Sequence, residues 1–228
     1  MMMNFNEVIP WGRSFNEYQQ MFALKEKDLT SKIMSVGDGP AAFNAGMYKA
    51  GHKVTSVDPI YALSKEAIWH KILEVKDDLL QFVANHKDQY IWKQIKNVTE
   101  LEHVRMQSMK IFLEDFETGL AEERYINHAL PDMLPFADHS FDLVLSSHFL
   151  LLYAQLGFDF HYLSIKEMLR LGKEVRIFPV VNLDQHTNLL INQLVEVLEN
   201  DFLVTFQKVD YEFQKGADQM MVLSKHPN

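Results

Sequence analysis

A glycine turn set between an apolar run and a helix-forming segment restricts this chain more than any other feature. Lys32-Ile33-Met34-Ser35-Val36 has the composition of a short buried strand, Gly37-Asp38-Gly39-Pro40 breaks it, and Ala41 to Ala50 reads as a helix stopped by Gly51. A second β-branched run, Lys53-Val54-Thr55-Ser56-Val57, ends at Asp58-Pro59, where proline cannot extend the ladder. Gly37-x-Gly39-x-x-Ala42, with an acid 21 residues beyond Gly37 (58 − 37 = 21), has the spacing of a nucleotide-binding strand–helix–strand unit. Lacking Cβ atoms, Gly37 and Gly39 let the backbone turn sharply and approach a ligand. A carboxylate at the tip of the second strand can accept hydrogen bonds from both hydroxyls of a ribose. The plain alternative is a strand-to-helix turn whose Asp58 only caps the element that follows.

The remaining segments extend this unit into alternating α and β order. Ser14-Phe15-Asn16-Glu17 has capping-box spacing ahead of a short amphipathic helix. From Ser64, Ile68, Ile72, Val75 and Leu79 step by four, three and four, a helical stripe, with further helix expected through Trp92. Thr99-Glu100-Leu101-Glu102 reads as another capping box, and Leu101, Val104, Met109, Phe112 and Phe116 continue its apolar face to Gly119. About 50 residues of helix thus precede the next strand, more than a crossover needs. The excess, about 80–120, is expected to be a helical cap inserted in a single domain, 1–228, that opens with a helical segment, 1–30. Further strands are expected at 124–127, 141–146, 174–180, 202–209 and 219–223, with helices near 163–171 and 189–198. The final two strands lie close enough to form an antiparallel hairpin, so the sheet should be mainly parallel, covered on both faces, with an antiparallel edge.

Composition narrows the partners. At 228 residues, 47% hydrophobic and 23% charged, the chain suits one sizeable core and not a disordered or fibrous polymer. A net charge of −9 (22 − 31) argues against a broad hold on nucleic acid or an anionic membrane, and a small-molecule partner is expected. The chain has no cysteine, which removes disulfides, thiolate catalysis and thiolate metal sites. Its ten histidines include no i, i+4 pair with a partnering acid, so no metal site is expected. Met1 to Glu7 lacks a basic segment followed by an apolar stretch, and Phe149 to Ala154, the greasiest run, is too short for a bilayer; a cytoplasmic location is expected.

Taken in order, these blocks resemble the class I S-adenosylmethionine-dependent methyltransferases, especially the small-molecule methyltransferases with a Leu-Pro-Phe turn. The matching residues are Val36-Gly37-Asp38-Gly39-Pro40-Ala41, Val57-Asp58-Pro59, the run from Leu134-Pro135-Phe136 through Phe141-Asp142-Leu143-Val144-Leu145-Ser146-Ser147-His148, and Glu167-Met168-Leu169-Arg170 ahead of Glu174 to Pro179. Trp11-Gly12-Arg13-Ser14-Phe15, Ser147-His148-Phe149 and Tyr211-Glu212-Phe213-Gln214 are similar to an uncharacterised bacterial branch of that family. The resemblance implies a Rossmann-like, doubly wound, seven-stranded, mostly parallel sheet with an antiparallel edge strand. It also implies S-adenosylmethionine as cofactor and methyl transfer to a small-molecule acceptor. By the same resemblance, Gly37, Asp38, Gly39 and Pro40 pass beneath the methionine part, and Asp58, followed by Pro59, holds the ribose. Leu130 and Pro131 pack the adenine, while Ser146 and Ser147 face the methionine and the substrate mouth. The chain departs from the family pattern at Ser35, Ala41 and Leu130, and has Leu171-Gly172-Lys173 before its fifth strand.

Methyl transfer from a sulfonium is an in-line displacement in which positioning and exclusion of water supply much of the acceleration. Where the acceptor must lose a proton, His148, just after the fourth strand, is the expected general base; its plain alternative is a loop histidine held by hydrogen bonds. Arg13, beside Trp11, is expected to clamp a carboxylate of the cofactor or of an acidic acceptor through its planar fork, against the alternative of a surface arginine beside a capped helix. Two other functions remain open at the level of residues. A NAD(P)-dependent oxidoreductase would share Gly37, Gly39, Ala42 and Asp58, although the 134–147 block and the terminal hairpin argue against it. A non-catalytic cofactor-binding module would fit the departures at Ser35, Ala41 and Leu130.

Overall fold

A computed structural model of the chain describes residues 8–181 and 189–226. In chain order its strands and α-helices are α1 (Phe15–Met21), α2 (Glu26–Leu29), β1 (Ile33–Val36), α3 (Phe43–Lys49), β2 (Val54–Val57), α4 (Lys65–Asn85), α5 (Val98–Ala121), β3 (Tyr125–Ile126), β4 (Phe141–Ser147), α6 (Phe158–Leu171), β5 (Gly172–Phe178), α7 (Leu189–Leu198), β6 (Phe202–Lys208) and β7 (Gln219–Lys225). The seven strands form one sheet in the order β3-β2-β1-β4-β5-β7-β6. Pairing is parallel from β3 to β5, with Val36 opposite Val57 and Ser35 opposite Leu145. β7 runs antiparallel between β5 and β6, so the hairpin closes one side of the sheet. This is the Rossmann-like arrangement expected from the sequence.

Alternation along the inner strands divides the core. Ile33, Leu143 and Leu145 pack with Tyr18, Met21 and Phe22 of the α1 region and with Phe43 and Met47 of α3. Met34, Val36, Val144, Val175 and Ile177 point the other way, onto Ile165 and Met168 of α6 and Leu194 of α7. A third cluster joins Ile68 and Ile72 of α4 to Met109, Phe112 and Phe116 of α5 and to Tyr125. Asn44, fully buried, ties α3 to the sheet: its Nδ2 donates to Val54 O, Ser56 Oγ and Arg124 O, while its Oδ1 accepts from Arg124.

Two helix boundaries differ from expectation. The box at Thr99 is not used: Asn97 Oδ1 accepts from Glu100 N at 2.9 Å, placing Thr99 inside the first turn. Asn97-x-x-Glu100 has the same spacing as Thr99-x-x-Glu102, and asparagine is the stronger N-cap. α4 stops at Asn85, and Trp92 lies outside any helix, its Nε1 donating to Lys87 O at 2.8 Å. The chain leaves β1 toward β2 and leaves β4 toward β5 on the opposite side, so the carboxyl ends of β1 and β4 flank a crevice at which the connections diverge. No helix among the described residues is long and apolar enough to cross a membrane.

Candidate functional site

The turn after β1 is held open by its own chemistry. Gly37 and Gly39 have φ of +64° and +52°, a region costly for side chains, and a Cβ on Gly37 would overlap the Phe149 ring. Between them Asp38 turns inward and accepts from the hydroxyls of Tyr18, Ser35 (2.5 Å) and Ser56 (2.6 Å). Burial pushes this carboxyl up and the three donors hold it down. Asp58, at the end of β2, bridges two backbones: Oδ2 accepts from Gly39 N and Oδ1 from Ile60 N, each at 2.8 Å. It therefore does cap the element that follows, while also clasping the glycine turn. Burial raises its pKa to about 6 against the pull of those two N–H donors. A Cβ on Gly39 would meet Asp58 Oδ2 at 4.0 Å, an ordinary contact, so the bare glycine leaves a gap of about a methyl group beside this carboxylate.

Residues 8–13 form a strap over the turn. Arg13 O accepts from Ala42 N at 2.9 Å, and a Cβ on Gly12 would strike the Pro40 carbonyl, so the strap lies directly on the glycine loop. Glu17, third in α1, closes the capping box with Ser14 and pairs at 2.7 Å with Arg105 of α5, 1% exposed. Tyr211, in the β6–β7 connection, donates to Glu17 Oε1 at 2.8 Å and accepts from Arg105 at 3.4 Å. Burial raises the Glu17 carboxyl, but Arg105, Arg13 and the Ser14 N–H outweigh it and hold the pKa near 2. Arg13 donates to Trp11 O, and its Nε, like that of Arg105, is buried with no hydrogen-bond partner. The connection after α4 locks onto the same loop as Tyr211, through Ile91 N to Phe213 O (2.7 Å) and Lys215 N to Gln89 O (2.9 Å).

His148 follows β4 with φ +52°, its backbone N–H held by Phe178 O at 2.7 Å. Ser147 Oγ lies 2.9 Å from His148 Nδ1 and 3.9 Å from Met21 Sδ, so serine and imidazole share a hydrogen bond whose direction follows the ring tautomer. Burial, then Arg13 and Arg105, lower the pKa well below the usual histidine value, so the ring is neutral.

These groups line one cavity of about 1800 Å³. Single-ligand sites run to roughly 300–1,000 Å³, so the space suits two molecules side by side. Of the residues expected from the sequence, Arg13, Gly37, Asp38, Gly39, Pro40, Asp58, Pro59, Leu130, Ser147 and His148 line it; Pro131 and Ser146 do not. Ser146 is fully buried with an unpartnered hydroxyl. Arg105, Tyr211, Tyr90 and Ile60 line the cavity and were not foreseen. Arg105 had a signal: four residues after Leu101 and four before Met109, it puts a cation on the apolar stripe of α5.

The strand order, the glycine turn and the crevice at the switch point define a chain with the Rossmann-like methyltransferase fold. A solved TehB-like SAM-dependent methyltransferase from Corynebacterium glutamicum superposes with a TM-score of 0.50 over 97% of this chain and 90% of its own, at 16% identity. No family model matches the sequence. The uncharacterized protein MJ0045 of Methanocaldococcus jannaschii is 35% identical over 98% of this chain and 99% of its own length, and the chain belongs to the same family. That relative is archaeal and gives no support to the bacterial branch expected from the sequence.

Proposed function

We propose that this protein transfers a methyl group from S-adenosylmethionine to a small-molecule acceptor bound beneath a cap built from the end of α4 and the start of α5. The observation that carries this reading is the gap beside Asp58. A carboxylate already fixed by Gly39 N–H and Ile60 N–H lines the cavity at the switch point of the sheet and keeps further lone pairs with which to accept from a ribose diol. Leu130 and Ile60 supply apolar walls for an adenine, and the glycine turn offers the approach that a methionine chain needs. When bound, S-adenosylmethionine supplies an electrophilic methyl on a sulfonium. The residues' task is then to align the acceptor, keep water out and take up a proton where one is released. His148 is the acceptor for that proton, its ring oriented by the hydrogen bond between Nδ1 and Ser147 Oγ.

Calorimetric titration tests the reading. S-adenosylhomocysteine is expected to bind at micromolar concentration, and NAD to give no heat. Binding of NAD without a response to S-adenosylhomocysteine would replace a methyltransferase with an oxidoreductase.

A further inference from the structure

We infer that the second lobe of the cavity takes an acceptor that is a flat aromatic acid, its carboxylate gripped by Arg13 and Arg105 and its ring laid against Tyr90 and Phe213. The inference rests on the methyltransferase reading and names the substrate class of that same site. Its ground is the polarity of the cavity. Its lining holds two carboxylates at the turns after β1 and β2, Asp38 and Asp58, and two guanidiniums, Arg13 and Arg105, of which Arg105 pairs with Glu17 behind the lining and Arg13 pairs with no carboxylate among the described residues. S-adenosylmethionine carries a sulfonium, an ammonium and one carboxylate, a net charge of +1, and suits the acid end. With His148 neutral, Arg13 stands in the lining as a cation that donates to Trp11 O and has no ion-pair partner among the described residues. A carboxylate brings the charge that Arg13 lacks.

The shape of that lobe selects a ring. Tyr90 and Phe213 line it with centroids 5.0 Å apart, Trp92 backs Phe213 edge-on at 5.5 Å, and Trp11 adds a further aromatic wall. Aromatic walls with one polar end favour a flat apolar body carrying one charged handle. Neutralised by two arginines, the carboxylate is the handle and not the methyl acceptor, which leaves the reacting atom at the opposite edge of the ring.

Calorimetry with 2-naphthoate and its neutral twin 2-naphthamide, run with and without saturating S-adenosylhomocysteine, tests this. The acid is expected to bind at least tenfold more tightly than the amide, the scale of one or two charge-assisted hydrogen bonds. In Arg13→Gln that preference should fall below threefold with S-adenosylhomocysteine affinity within twofold of the parent, and Arg13→Lys, which keeps the charge, should retain most of it. Circular dichroism establishes that both variants are folded. Equal affinity for acid and amide overturns the inference. So does an Arg13→Gln variant that loses S-adenosylhomocysteine and keeps its preference for the acid, because Arg13 would then serve the cofactor's carboxylate. Failure of S-adenosylhomocysteine to bind the parent protein strikes the methyltransferase reading instead, and the acid–amide comparison without it still decides the chemistry of the lobe.

Discussion

Asp58 is asked to be buried and to be charged, and the conflict gives it a measurable signature. Its pKa of about 6 lies above the usual 3.8 because burial outweighs the Gly39 and Ile60 N–H donors. A folded-state pKa raised for a carboxyl means that the folded chain holds the proton more tightly than the unfolded one. Stability from this group is therefore complete below about pH 4 and lost as pH rises to about 6, an amount of about 3 kcal/mol. A ribose diol donating to the carboxylate favours the ionised form and reverses the preference. The affinity for S-adenosylhomocysteine should accordingly be flat above pH 7 and fall as pH drops through 6, approaching tenfold per unit. Asp58→Asn should bind more weakly by about 1–3 kcal/mol at pH 7.5 and show little change between pH 7.5 and 5. A wild-type affinity that stays level across that range would detach Asp58 from the ligand.

Among the elements, α1 and α5 are joined through the core by Glu17, Arg105 and Tyr211, and the pair should behave as a unit. Removing the cation alone leaves Glu17 buried and uncompensated, so Arg105→Met is expected to lose about 3–5 kcal/mol in urea unfolding. Adding Glu17→Gln should restore at least 1 kcal/mol of that loss; purely additive losses would mean that the two side chains do not interact. The sequence made the helices legible wherever their stripes were long and apolar: α7 matches the expected 189–198, and Ser14 and Ser64 cap α1 and α4. It was less informative where two signals overlapped, as at Asn97 and Thr99, or where a strand survives on only two residues, as β3 does. The glycine turn and Asp58 could be read because their chemistry is local and their spacing is set by one strand–helix–strand unit. Arg13 could be singled out beside Trp11 and Arg105 marked as a cation on an apolar stripe, but their company could not be read, because Glu17, Arg105 and Tyr211 are separated by 88 and 106 positions and only tertiary packing brings them together.

On the scale of the whole molecule the cavity is a junction. The strap, the turns after β1 and β2, the loop at Leu130, the start of α5 and the β6–β7 connection all contribute to its lining. A ligand spanning Asp58 and the glycine turn touches the seam between the sheet halves and the helices over them, so its binding energy should appear as stability of the entire fold and not of one loop. At a concentration a hundredfold above its dissociation constant, S-adenosylhomocysteine adds about 2.7 kcal/mol to the folded state. For a chain of this size each kcal/mol moves Tm by roughly 2–4 °C, so a single unfolding transition should shift upward by roughly 5–11 °C. In urea the midpoint should rise with an unchanged m value, because the ligand does not alter the surface exposed on unfolding. A split transition in which only one part gains stability would mean that the elements lining the cavity belong to separately unfolding units.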